Sequence, residues 1–182
     1  MKIHPHFIRL RSNWLRKPFA TLPYQHWLVD DASLTARLQQ RYPDFKVRPI
    51  LHQQHKPFQD EMPLLKCKRA KATIVRDVVL TGNQQPVVYA HSILPQASLR
   101  GAWHQLGKLG SKPLGGTLFK NPRVKRTPLS YKKLTKNHVL YQKAVKHLSE
   151  PPTYLWARRS VFSLNSAKIL VTEVFLPHIC HE

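Results

Sequence analysis

Two residues in this sequence carry charge where charge is costly. Glu173 lies inside Ile169-Leu170-Val171-Thr172-Glu173-Val174-Phe175-Leu176-Pro177, a run of β-branched and aromatic residues that reads as a buried strand. A carboxylate buried there must take up a proton, meet a cation or hydrogen-bond a ligand. Arg76 is its complement. In Ala72-Thr73-Ile74-Val75-Arg76-Asp77-Val78-Val79-Leu80, strand alternation puts Arg76 among Ala72, Ile74, Val78 and Leu80 and turns Asp77 to the opposite face. One reading of the two is structural: a buried Arg76–Glu173 ion pair, or an arginine that extends its head to a sheet edge. The other is that both address a ligand. The surrounding chain sharpens the question, because it holds no Asp or Glu between Asp77 and Glu150, and only Glu173 and Glu182 after that.

Such residues need elements to position them, and a chain of 182 residues is long enough for one well-buried core. A single domain over 1–182 is expected. No apolar run approaches the roughly 20 residues of a membrane span, and Met1-Lys2-Ile3-His4-Pro5-His6 lacks the apolar region of a secretory signal. Cys67 and Cys180 form no metal-ligand or redox spacing and read as free thiols of a cytoplasmic protein.

The net charge of +21 admits nucleic acid, an anionic membrane surface or an anionic substrate as partner. The densest stretch, Lys120 to Lys146, carries nine Lys or Arg without one acid. It has no zinc-finger spacing, no RNA-recognition aromatic signature and no glycine-rich phosphate loop. It reads as a solvated helix or flap rather than a specific nucleic-acid site.

Fifteen prolines punctuate the sequence. Ser33 can cap a helix over Leu34 to Arg41, and a strand near Phe45 to Leu51 contains Pro49, which suits an edge or a bend. Cys67 to Leu80 and Pro86 to Leu94 form an antiparallel hairpin around Thr81-Gly82-Asn83-Gln84-Gln85. Pro95 to Leu109 has helical spacing through Leu99, Ala102, Trp103 and Leu106 and ends at Gly110. Lys112-Pro113-Leu114-Gly115-Gly116 reads as a loop. The basic stretch reads as helical to about Leu148, before Pro151-Pro152. Tyr154 to Leu164 and Ile169 to Leu176 form a second hairpin across Asn165-Ser166. Strand hairpins separated by helical excursions predict an α+β domain with an antiparallel sheet.

Six segments then resemble the bacterial chorismate pyruvate-lyase family in order: LVDDASLTARL from Leu28, VRDVVL from Val75, YAHSILP from Tyr89, LGSKPLGGTLF from Leu109, LWARRSVF from Leu155 and VTEVFLP from Val171. The resemblance covers about Trp27 to Pro177. It implies an antiparallel β-sheet flanked by helices, with the ligand enclosed under helical flaps. It also implies cleavage of chorismate to 4-hydroxybenzoate and pyruvate, the first committed step toward ubiquinone in many bacteria, without metal or organic cofactor. By the same resemblance Arg76 grips the ring carboxylate, the backbone N–H groups of Leu34 and Leu114 add donors to it, and Glu173 accepts from the ring oxygen para to it. Arg76 and Glu173 are thus the catalytic candidates. Leu34 stands where relatives can carry methionine.

The second carboxylate of chorismate also needs a cation. His91 is a candidate, at a position where relatives commonly show arginine; it can equally be a satisfied core histidine. Arg158 and Arg159 cannot both face inward, since they are adjacent in a strand. A monomer is expected, with peripheral contact to anionic membrane through the basic stretch. The alternatives to a lyase are an effector-binding domain of the same fold family, which binds without chemistry, and a basic nucleic-acid-binding protein.

Overall fold

Long β-branched and aromatic runs joined by two-residue turns dictate the architecture. The computed structural model describes residues 14–66 and 73–180. Its seven strands are β1 (Lys46–Gln54), β2 (Thr73–Gly82), β3 (Gln85–Pro95), β4 (Lys125–Arg126), β5 (Ser130–Thr135), β6 (Tyr154–Leu164) and β7 (Ala167–Phe175). They form one antiparallel sheet in the order β1-β2-β3-β7-β6-β4, with β5 also paired to β6. Short helices supply the rest: α1 (Gln25–Leu28), α2 (Leu34–Arg41), α3 (Met62–Leu65), α4 (Gln96–Arg100), α5 (Leu114–Leu118) and α6 (Val139–Ala144). The α+β reading of the sequence holds.

Local chemistry fixes the hairpins. Asn83 and Gln84 take φ of 50° and 61°, the left-handed pair that a two-residue hairpin turn requires. The Asp44 carboxylate accepts both of their N–H groups, at 2.7 and 2.8 Å. Gly82 lets the turn pass over Tyr42, since a Cβ there would stand 2.2 Å from the ring. Asn165, at φ 55°, makes the matching turn between β6 and β7.

Several expected elements differ. The single helix expected over Pro95 to Leu109 is two pieces, α4 and a 3-10 turn at His104–Lys108. Gly101 separates them, with backbone angles far from helical. The expected loop at Lys112 to Gly116 becomes helical from Leu114 onward. The first half of the basic stretch is extended rather than helical: β4 and β5 cover the edge of β6, and helix begins only at Val139–Ala144, continued by a 3-10 turn at Val145–His147. The strand at Pro49 is indeed an edge strand, β1, with a bulge between Pro49 and Leu51. Cys67 and Ala72 lie outside the described residues.

Sheet alternation divides the interior in two. On one face, α1 and α2 cover an apolar cluster around Trp27, Leu38, Val88 and Phe175. A second cluster around Leu94, Leu106, Leu118 and Ile169 packs under α5 and the 3-10 turn on that face. On the other face α6 covers Val79, Tyr89, Leu155 and Val174. No helix among the described residues is long and apolar enough to cross a membrane.

Candidate functional site

Cross-strand register sets the site. Arg76 on β2 pairs with Ser92 on β3, Ser92 with Val171 on β7, and Val171 with Ser160 on β6. Two residues along, the next row on the same face is Val78, Ala90, Glu173 and Arg158. Arg76 and Glu173 therefore share a face, two strands and two residues apart, about 12 Å between their Cα atoms by strand geometry.

The space between them is a cavity of about 590 Å³, its mouth included. Its floor is the two rows just described, and its roof is the first turns of α2 and α5, through Leu34 and Leu114. Both helices begin at those residues, so their first N–H groups have no partner within the helix. Ser33 caps α2 by accepting from the Ala36 N–H at 3.4 Å. The two roof helices meet because Gly115 lacks a side chain: a Cβ there would lie 2.9 Å from Thr35 Oγ1 and 3.3 Å from Ser33 Oγ.

Arg76 is buried, and its Nη2 donates to the carbonyls of Gly110 and Lys112, both at 3.0 Å. It forms no ion pair among the described residues. Burial alone lowers its pKa from the usual arginine value. Two neutral carbonyls hold the guanidinium in place without neutralising it, so a carboxylate entering the cavity meets a fixed, uncompensated fork. Glu173 is engaged differently. Its Oε2 accepts from Arg158 Nε at 2.6 Å, so the structural Arg76–Glu173 pair considered from sequence is not formed.

Of the two adjacent arginines, Arg158 shares the face of Glu173 and Arg159 points away. Arg158 Nη1 also donates to the carbonyls of Trp27, at 2.8 Å, and Asp30, tying the segment before α2 to the sheet. Arg159 bonds Asp60 Oδ2 at 2.7 Å and lies over the Trp14 ring.

His91 is the correction. It pairs with Asp77 and faces away from the cavity, so it cannot serve a carboxylate bound beside Arg76. The cause is a one-residue slip. The turn pairs Gly82 with Gln85 and Thr81 with Pro86, but Leu80 pairs with Val88, so Val87 is an extra residue. Without that bulge Arg76 would stand opposite His91 and both would point into the cavity. Instead His91 is buried against Phe58, with Nδ1 2.6 Å from Asp77 Oδ1 and Nε2 3.2 Å from Glu61 Oε1. The second contact has ion-pair distance without hydrogen-bond alignment. Burial works against the imidazolium, but Asp77 and Glu61 outweigh it and raise the pKa to about 9.

Sequence reasoning missed Arg126. It lines the cavity beside Ser160, Phe162 and Glu173, although it belongs to the stretch expected to be solvated. The available signal was only its charge, one among nine in that stretch.

An α+β domain with an enclosed, arginine-lined cavity on one sheet face is the class that fold and site define. The family model for chorismate lyase matches residues 10–182, and the chain belongs to that family. A protein named probable chorismate pyruvate-lyase from Methylobacillus flagellatus is 44% identical over 170 residues, covering 93% of this chain and 96% of that one. One of the same name from Nitrosomonas europaea is 46% identical over 153 residues, covering 84% and 86%. Among solved structures, a GntR-family transcriptional regulator from Bacillus cereus superposes with a TM-score of 0.56 at 11% identity, covering 74% of this chain and 93% of that chain. PhnF from Mycobacterium smegmatis gives 0.57 at 12%, covering 82% and 66%. These two share the fold alone.

Proposed function

We propose that this protein cleaves chorismate to 4-hydroxybenzoate and pyruvate in the cavity between Arg76 and Glu173, without metal or organic cofactor. The observation that carries the reading is the placement of a buried guanidinium, without an ion pair among the described residues, and a carboxylate on the lining of one cavity. The ring carboxylate takes the Arg76 fork, and the free N–H groups that open α2 and α5, at Leu34 and Leu114, donate to it as well. Glu173 accepts from the C4 hydroxyl. Arg158, on Oε2, fixes the orientation of that carboxylate.

The chemistry is an elimination. The C3–O bond breaks with its electron pair going to the enolpyruvyl oxygen, the C4 proton leaves, and the C4–H pair completes the aromatic ring. The leaving enol takes up a proton on carbon as pyruvate, so atoms balance without an oxidant. Aromatisation supplies the driving force. The protein holds the reactive conformer and stabilises the charge that leaves on oxygen. In a cavity this apolar each charge–charge contact is stronger than in water.

The half-buried free thiol of Cys180, its pKa raised by burial to about 11, suits the reducing cytoplasm proposed for this enzyme. The test is direct: purified protein is mixed with chorismate, and 4-hydroxybenzoate and pyruvate are followed. Equimolar products that persist in EDTA are expected. Tight binding of 4-hydroxybenzoate with no turnover would instead make this an effector-binding domain.

A further inference from the structure

We propose that Arg126 binds the enolpyruvyl carboxylate of chorismate and holds the departing enolpyruvate, as the second anion-binding arm of the cavity. The inference rests on the lyase reading above, and it fills the role that His91 cannot reach.

Position is the first argument. The row that begins at Arg76 ends at Ser160 on β6, and the Ser160 hydroxyl accepts from Arg126 Nε at 2.8 Å. In strand order Glu173 on β7 thus lies between Arg76 on β2 and the Ser160–Arg126 pair on β6 and β4, and all three charged groups line the cavity. The enolpyruvyl ether on C3 of chorismate is meta to the ring carboxylate and adjacent to the C4 hydroxyl. A ring with its carboxylate on Arg76 and its hydroxyl on Glu173 directs the ether to one side of the ring, and in the proposed pose that side is the one Arg126 lines, next to Glu173.

Preorganisation is the second. Arg126 Nη1 donates to the Asp31 carbonyl at 2.6 Å. With the Ser160 bond, this fixes the plane of the guanidinium. Nη2 has no hydrogen-bond partner among the described residues. The head lies 5.1 Å from the Phe162 centroid and 5.5 Å from that of Phe119, between apolar walls. No carboxylate among the described residues pairs with it, and Glu173 is taken by Arg158. The cavity lining holds two arginines and one glutamate, and Arg158 from outside the lining offsets Glu173, so Arg76 and Arg126 remain as two cations for a dianion. The product 4-hydroxybenzoate carries only one carboxylate, which the proposed pose gives to Arg76, and leaves no anion for Arg126.

That difference supplies the test. Arg126→Gln and Arg126→Lys are compared with wild type in kcat/KM for chorismate and in the Kd of 4-hydroxybenzoate, with circular dichroism melts as the folding control. Arg126→Gln is expected to lower kcat/KM by roughly a hundredfold or more, the range for losing a desolvated charge contact. Its 4-hydroxybenzoate affinity should stay near the wild-type value, and Arg126→Lys should recover part of the rate. If chorismate turnover and product affinity fall together, Arg126 only holds Asp31 and the entry to α2, and the inference is overturned. Unchanged kcat/KM overturns it as well. Failure of the wild-type protein to consume chorismate removes the lyase reading itself, and this inference with it.

Discussion

Arg158 and Glu173 face each other across β6 and β7, joined by a 2.6 Å bond from Nε to Oε2. The same guanidinium holds the carbonyls of Trp27 and Asp30. Arg158 is therefore a structural tie as well as a support for Glu173. Arg158→Ala leaves a partly buried carboxylate without its cation and frees the approach to α2, so a loss of about 3 kcal/mol of stability is expected. Arg76 contrasts with it. It touches two carbonyls and no acid, so Arg76→Ala should shift the melt far less while costing about 2–5 kcal/mol of transition-state binding. Arg76→Lys should also be poor, because a point charge cannot reproduce the fork. Urea unfolding beside kcat/KM checks this, and a matched pattern in the Arg158 and Arg76 alanine variants would sink the distinction.

The alkaline limb of stability should belong to the opposite face. There Asp77 bonds His91, accepts from Lys143 at 2.8 Å and is hydrogen-bonded by Tyr89, while Glu61 flanks the imidazole and Phe58 stacks on it. The His91 pKa rises from 6.5 to about 9, so its stabilising contribution is complete below pH 6.5 and is lost as pH climbs through 9. Burial opposes the charge on Asp77, but His91 and Lys143 outweigh it and lower its pKa from 3.8 to about 2. That contribution is present above 3.8 and is lost as pH falls through 2. Wild type should melt at a lower temperature at pH 9 than at pH 6.5, and His91→Gln should show a flatter alkaline slope. Parallel slopes for the two proteins would remove His91 as the cause.

How much of this was legible follows from which rules are local. Alternation alone put Arg76 with Ile74, Val78 and Leu80, and the buried run around Glu173 marked that carboxylate, so both ends of the site could be named from sequence. Ser33 gave the start of α2 to the residue. His91 was lost to the Val87 bulge, whose one-residue slip leaves no mark in composition. The strand β5 was hidden for a different reason: its buried residues, Tyr131 and Leu134, are three apart and imitate helical spacing. Only the unpaired edge of β6 explains why that segment is extended. Arg126 was illegible because its partners, Ser160 and Asp31, are distant in sequence.

Closure of the roof should depend on Gly115. A methyl there meets Thr35 Oγ1 at 2.9 Å, and crowding of this kind costs about 1–3 kcal/mol when neighbours cannot yield. The strain is felt only when α2 and α5 are together. Gly115→Ala is thus expected to weaken 4-hydroxybenzoate binding by roughly tenfold, and Thr35→Ala in the same chain should restore part of it. Calorimetric titration of the single and double variants reads the effect. Identical affinities would mean that the two helix starts move apart without cost.

The basic stretch is less free than its sequence implies. Arg126 lines the cavity, Lys143 bonds Asp77, and Lys132 and Lys133 lie over Trp14 and Tyr154. The exposed remainder is Lys120, Arg123, Lys125, Lys136 and Lys146. These are the charges proposed to steer chorismate and to meet anionic lipid, over a Debye length of roughly 8 Å at physiological salt. Replacing Lys120, Arg123, Lys125 and Lys136 with Gln should lower kcat/KM at low salt and leave kcat intact. It should also reduce sedimentation with anionic vesicles but not with neutral ones. A rate and vesicle binding that ignore both the substitutions and salt would leave this surface with solubility as its only role.

Release of product should set the turnover rate. In the proposed pose Arg76, the N–H groups of Leu34 and Leu114, and Glu173 all address groups that survive in 4-hydroxybenzoate, and an enzyme that binds product as firmly as its transition state gains little in kcat. Exit also requires α2 and α5 to part over a buried ligand, a motion slow enough to limit many enzymes. Rapid mixing with excess chorismate should therefore give a burst of 4-hydroxybenzoate close to one equivalent per protein, followed by a slower steady phase. Added 4-hydroxybenzoate should inhibit, and Gly115→Ala should raise the steady rate while shrinking the burst. Linear product formation from the first turnover, with negligible inhibition by 4-hydroxybenzoate, would show that bond cleavage limits the rate and that the roof opens freely.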